Sequence, residues 1–203
     1  MTYDRKQDEF RLDVLKELGN IGAGHATTAL SRLLGNKKLT LVVPQAMIVG
    51  MQESMGLCGG PESLVGAIYI RVSGGLCGHM ALLLPFTSVQ SLLGYLLGAT
   101  PQEFSDMELS TLQEVGNIVV TSYLNALAEM TNTVLYPSVP AVAVDMAAAV
   151  WSSILAGAEV ADYITIVQTG FQTDAEIIDG TIAFIPDEED LAKLLEALGM
   201  GEL

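Results

Sequence analysis

A carboxylate and a carboxamide three residues apart occur twice in this chain. Glu17 and Asn20 stand in Glu-Leu-Gly-Asn-Ile, and Glu114 and Asn117 in Glu-Val-Gly-Asn-Ile. Four residues before each glutamate is a further polar residue, Asp13 in the first copy and Ser110 in the second. Both copies therefore read [Asp/Ser]-x-x-x-Glu-x-x-Asn, and side chains at i, i+4 and i+7 share one face of a helix. An amide presented in this way can accept a hydrogen bond from water and hold it in line with a phosphorus atom, as a glutamine does in small GTPases. The chemistry suits a substrate that is already reactive and already carries its metal, and an acyl phosphate meets that description. A hundredfold acceleration requires about 2.7 kcal/mol, which positioning one water can supply.

Other chemistries find little support. The two histidines, His25 and His79, have no Cys or Asp partner at a ligand-like spacing, so no metal site is expected. Gly19-Asn-Ile-Gly-Ala-Gly24 is a G-x-x-G-x-G run inside a helical pattern, not a G-x-G-x-x-G turn between strand and helix, and is rejected as a nucleotide fingerprint. The plainer alternative is an ordinary solvated helix face. Against it stands repetition of identity: Glu and Asn recur at one spacing in two diverged segments. Asn and Gly are poor helix-interior residues, and close helix packing is the simplest account of Gly19 and Gly116.

The elements that must carry these residues follow from period. Apolar positions at helical spacing predict helices over 10–34 and 107–131. At about 100° per residue, Asp13, Glu17, Asn20, Gly24, Thr27, Thr28 and Ser31 lie within roughly 60° of one line. Val14, Leu18 and Ile21 flank that strip, and Leu15, Ala26 and Leu33 lie further round on an apolar arc. The second helix repeats the strip with Ser110, Glu114, Asn117, Thr121, Asn125 and Ala128. Short apolar runs at 64–71, 79–84, 163–169 and 181–185 predict strands, with Pro85 and Pro186 at strand-to-helix junctions. Residues 145–158 predict an Ala-rich helix with Trp151, and Gln52 to Pro61 a Gly-rich loop.

The motifs are 97 residues apart, and the correspondence continues through Ala29-Leu30 with Ala126-Leu127, Pro44 with Pro140, and Ala81-to-Pro85 with Ile182-to-Pro186. The expected fold is α/β (α+β), internally duplicated with a pseudo-two-fold, a mixed β-sheet and two long motif-bearing helices. The chain 1–203 reads as one domain of two intertwined repeats, about 10–100 and 107–200, since no Pro/Ser/charge-rich linker separates them.

Composition bounds the partners. Half of the 203 residues are hydrophobic and 16% are charged, which supports a filled core rather than disorder. A net charge of −15 with nine Lys and Arg argues against nucleic acid and against anionic membrane surfaces. The uncharged run Val72 to Gln102 is broken by Gly74, Gly75, Gly78, His79 and Pro85, so strand, turn and helix are expected there rather than membrane insertion. The charged N-terminus lacks an apolar signal region, and Cys58 and Cys77 show no CxxC spacing; reduced thiols in a cytoplasmic protein are the expected reading.

The doubled [Asp/Ser]-x-x-x-Glu-x-x-Asn, with 22 residues between Asn117 and Pro140 and 23 between Asn20 and Pro44, resembles the CheC-type phosphatases of bacterial chemotaxis, the CheC/CheX/FliY family. The likeness covers nearly the whole chain. One extra residue in the Gly35-Asn36 turn is expected to explain the longer first spacing. The resemblance implies hydrolysis of the aspartyl phosphate of the response regulator CheY, with Glu17 and Glu114 pairing with a regulator lysine and Asn20 and Asn117 orienting the attacking water. It implies that Asp13, Ser110, Pro44 and Pro140 support the sites and that magnesium belongs to the regulator, with no cofactor on this chain. Two motifs and the end of the chain after the second short helix resemble the stand-alone members. The resemblance also implies binding of the receptor deamidase CheD at a helix from Val144 to Trp151, with Asp145 the residue carried over. A CheD-binding adaptor with weak phosphatase activity, or a flagellar switch component, remains the alternative.

Overall fold

The computed structural model describes residues 5–34, 37–101, 104–156 and 163–200. A long helix α1 (Arg5–Leu34) leads to strand β1 (Thr40–Gly50), a one-turn helix α2 (Met51–Ser54) and a 3₁₀ turn (Met55–Cys58). A hairpin of β2 (Leu64–Gly74) and β3 (Gly78–Pro85) follows, then α3 (Phe86–Leu97). The second long helix α4 (Asp106–Thr131) precedes β4 (Leu135–Pro137), β5 (Ala141–Met146) and α5 (Ala147–Leu155). A second hairpin, β6 (Tyr163–Gln172) and β7 (Ile177–Pro186), is closed by α6 (Glu188–Ala197).

The strands form one sheet in the order β1-β6-β7-β3-β2-β4, and β5 pairs with the other end of β2. The expected mixed sheet is corrected: every pairing among the described residues is antiparallel. The reason lies in the connections. Two hairpins supply the four inner strands, and each can only be antiparallel across a turn as short as residues 75–77 or 173–176. Gly74 makes the first turn possible. Its φ is 117°, and a Cβ there would stand 2.3 Å from the carbonyl oxygen of Val134.

Both faces of the sheet are covered, so the central strands β3 and β7 are buried almost without alternation. On one face α1, α3, α4 and α6 place Leu15, Leu30, Leu92, Leu124 and Leu194 over Ile68, Ile70, Leu82, Leu84 and Phe184. On the other, α5 and the 3₁₀ turn cover Val65, Ala67, Leu83, Ile164 and Ile166 with Val150, Trp151, Ile154 and Leu57. The motif helices thus share one side of the sheet, and α5 lies on the other.

Three further expectations are corrected. The Ala-rich helix begins at Ala147 rather than 145, because Asp145 and Met146 continue β5 and pair with Val65 and Leu64. Its first N–H groups bond the carbonyls of Ser63 and Pro61, at 2.8 Å from Ala147 and 2.9 Å from Ala148, which fixes the start. Residues 51–58 are helical rather than loop; Gly59, at φ 94°, ends the 3₁₀ turn. Leu33, expected on the apolar arc, is 50% exposed near the end of α1. The Gly35-Asn36 turn lies outside the described residues.

Candidate functional site

Helix α4 is fixed at both ends by its own sequence. Ser105 caps it in a capping box: its hydroxyl accepts from Met107 N–H, while the Glu108 carboxylate accepts from Ser105 N–H at 2.9 Å and from its hydroxyl. The Ser105 hydroxyl holds the Glu108 carboxyl below its ordinary value. At the other end Asn132 adopts the left-handed conformation, φ 51°.

Each motif helix lies unusually close to the sheet at its motif glycine. A Cβ on Gly19 would stand 2.9 Å from methyls of Val167 in β6 and Val43 in β1. One on Gly116 would stand 2.3 Å from Ile68 in β2. A third glycine, Gly22, lets α1 cross α4 directly over the Tyr123 ring, 2.7 Å from a Cβ at that position. Tyr123 is buried, its phenol donates to Thr169 Oγ1 at 3.4 Å, and burial pushes its pKa up to about 12.

Burying the glycine edge of each helix turns the motif outward. Asp13, Glu17 and Asn20 are all exposed on α1; Ser110 and Glu114 are exposed and Asn117 half-buried on α4. No hydrogen bond or ion pair within the chain engages Glu17 or Glu114 among the described residues. Asn117 differs from Asn20 in having a partner, because Thr121 donates its hydroxyl to Asn117 Oδ1 at 3.3 Å.

The two prolines sit at breaks in the edge ladders. Val42 pairs with Gly170 and Gln45 with Gln168, so Val43 and Pro44 together oppose Thr169 in a bulge. Ser138 N–H bonds the Arg71 carbonyl while Ala141 pairs with Tyr69, which leaves Val139 and Pro140 opposite Ile70. A proline has no N–H to give a ladder, so an irregular edge position accepts it. Gln113, next to Glu114, donates its amide to the Pro140 carbonyl at 3.2 Å and ties this break to α4.

Asp145 stands apart from the motifs. It is exposed at the end of β5 and its carboxylate accepts from Met146 N–H at 2.7 Å. It lines a groove of about 290 Å³ on the α5 side, floored by Ala67, Tyr69 and Ala143 and walled by Ala149, Val150 and Ser153. The Glu/Asn motifs and Asp145 are therefore on opposite faces of the sheet.

Sequence reasoning missed a polar cluster beside that groove. His79 is buried in β3. Arg71 donates to its Nε2 at 2.8 Å, so Nδ1 carries the proton toward Tyr69 Oη, also at 2.8 Å. Arg71 bonds both oxygens of Asp187, at 2.7 and 2.5 Å. Burial, reinforced by Arg71, lowers the His79 pKa. Tyr69 and Arg71 meet His79 across the β2–β3 hairpin, but Asp187 lies 116 residues from Arg71, and no local pattern could reveal that pairing. His25 is exposed on α1. Cys77 is a free thiol, and the Cys58 side chain lies outside the described residues. Among the described residues no group of His, Cys, Asp or Glu is placed to hold a metal, and no helix is long and apolar enough to cross a membrane.

Three comparisons bear on what these surfaces are. The CheC-like family profile matches residues 10–48 and again 107–144. The chain is 36% identical to CheY-P phosphatase CheC of Bacillus subtilis (strain 168), over 94% of this chain and 95% of that protein. Its fold resembles FliY of Thermotoga maritima, with a TM-score of 0.73, 18% identity and full coverage of both chains. It also resembles the FliM middle domain from "Vibro alginolyticus", with a TM-score of 0.61, 17% identity and 90% and 99% coverage. At those identities the two structures speak for the fold alone, whereas the near-full-length identity to the Bacillus protein carries lineage. On that ground the chain belongs to the CheC-like family.

Proposed function

We propose that this chain is a chemotaxis protein phosphatase acting on the aspartyl phosphate of a CheY-type response regulator. The observation that carries the reading is the exposure of Glu17 with Asn20, and of Glu114 beside half-buried Asn117, on two helices seated on the sheet by motif glycines. Exposed, unpartnered carboxylates leave Glu17 and Glu114 able to pair with a lysine of the regulator. Asn20 and Asn117 enter its phosphorylation pocket and orient the attacking water; the regulator brings the magnesium. Asp13 and Ser110 flank the sites, and Pro44 and Pro140 set the neighbouring edges. The identity to a CheY-P phosphatase supports the choice of substrate.

The chain reads as a single domain of two intertwined repeats. The twofold profile match, the placement of Gly19 on β6 and Gly116 on β2, and the paired Val-Pro breaks all support this. In this reading β1 of one repeat joins the hairpin of the other. The sites are then two copies of one surface, each able to dock one regulator.

The experiment is the decay of phosphate from a magnesium-loaded, phosphorylated CheY-type regulator. Addition of this protein is expected to speed the decay at substoichiometric amounts. Unchanged decay removes the reading. A second reading, binding of the receptor deamidase CheD, is favoured by Asp145 at the rim of the α5 groove. Asp145→Lys is expected to abolish a CheD complex while leaving dephosphorylation intact; a complex that survives this change removes the assignment.

A further inference from the structure

The two sites are not equivalent one helical turn beyond the asparagine. Thr121 follows Asn117 by four residues, and Gly24 follows Asn20 by four. We propose that Thr121 is a positioning residue for the α4 site, and that its absence at Gly24 makes the α4 site the faster of the two. The proposal rests on the phosphatase reading for its kinetic consequence and on geometry for the rest.

A hydroxyl inside a helix ordinarily returns to the carbonyl one turn back. Thr28, Thr111, Ser122, Thr131 and Ser153 all do so, at 2.7 to 2.9 Å. Thr121 instead gives its proton to the side-chain oxygen of Asn117, over a longer 3.3 Å. A β-branched side chain is stiff at χ1 in a helix, so the donor is a fixed point. The bond uses one lone pair of the amide oxygen and leaves the second for water. Asn117 is half-buried, and this bond biases its orientation before a regulator arrives.

Asn20 has none of this. Among the described residues no side-chain hydrogen bond holds it. Nothing stands within 4 Å of where a Gly24 Cβ would be, and the Gly24 carbonyl is taken by Thr28. Asn20 must therefore be ordered at the moment of reaction. Ordering a side chain in advance lowers the barrier without tightening the ground-state complex, so the difference falls on kcat.

The test has two arms on the intact chain. Side-chain amide NMR is expected to show Asn117 ordered and Asn20 mobile; Thr121→Ala releases Asn117 and Thr121→Ser keeps it ordered. In a Glu17→Ala/Asn20→Ala background, which leaves the α4 site alone, Thr121→Ala is expected to lower kcat about fivefold at constant KM, and Thr121→Ser to restore it. Equal mobility of Asn117 and Asn20 in the unsubstituted protein overturns the proposal, as does a Thr121→Ser variant that behaves like Thr121→Ala. An ordered Asn117 in a chain that dephosphorylates no regulator leaves the positioning in place and removes the phosphatase reading instead.

Discussion

Replacing Gly116 by alanine puts the close seating of α4 to a direct test. Two terms oppose. Alanine is a better helix residue than glycine by about 1 kcal/mol. Its methyl, however, would stand 2.3, 2.7 and 2.8 Å from three carbons of Ile68, a fully buried residue paired on both sides within β2. Carbon atoms rest at roughly 3.5–4 Å, so the helix or the strand must give by more than about 1 Å. Overpacking of that kind costs about 1–3 kcal/mol, which equals the helical gain at its low end and exceeds it otherwise. Gly24→Ala is the control, since its methyl meets nothing within 4 Å and only the favourable term remains. Gly116→Ala is expected to lower stability by up to about 2 kcal/mol and Gly24→Ala to raise it by about 1. At this chain length each kcal/mol moves Tm by about 2–4 °C. Urea unfolding of both variants measures the difference. Two variants that are stabilised alike would refute the argument that the motif glycines exist for close approach. The same displacement raises Glu114 and Asn117 with the helix, and misplacement by about 1 Å can cost two orders of magnitude in rate. Gly116→Ala is therefore expected to cut activity at the α4 site far more than it cuts stability.

Other outcomes follow from the rest of the fold. The folded His79 pKa lies below its ordinary 6.5, so His79 contributes stability above that value and loses it as pH falls through the folded one. Its facing groups are Tyr69, Arg71 and Asp187. His79→Gln is expected to flatten the acid limb of the unfolding free energy, and an unchanged limb counts against this assignment. Ser105→Ala removes the α4 cap and is expected to cost about 1 kcal/mol in urea unfolding. Trp151 is fully buried, yet among the described residues its indole N–H has no partner. Trp151→Ala is expected to cost about 3–5 kcal/mol, and Trp151→Phe about half of that or less, since no hydrogen bond is lost. Equal costs for the two would mean the indole N–H matters after all.

The helical placement and exposure of the candidate site residues could be read from residue spacing, because helical period is a local property. Asp13, Glu17 and Asn20 fall on one solvent face of α1 as their spacing requires, and the glycines beside the asparagines mark close packing as their helix cost suggests. What escaped was set by partners distant in sequence. Every strand pairing among the described residues is antiparallel because of which strands meet, and no strand states its neighbour. Asp145 belongs to β5 because Val65 pairs with it, although a run of alanines begins two residues later. The start of α5 depends on carbonyls of Pro61 and Ser63, more than eighty residues earlier in the chain. Thr121 was visible on the polar strip, but its choice of the Asn117 amide over the backbone is a matter of rotamer, which spacing does not encode.

The central claim is that the two Glu/Asn faces do the chemistry, and it is tested by the decay of a phosphorylated CheY-type regulator against a set of paired substitutions. Glu17→Ala/Asn20→Ala and Glu114→Ala/Asn117→Ala should each leave partial acceleration, with the larger loss from the second. All four substitutions together should return the decay to the regulator's own rate while the protein stays folded. Acceleration that survives in the folded fourfold variant would contradict the account.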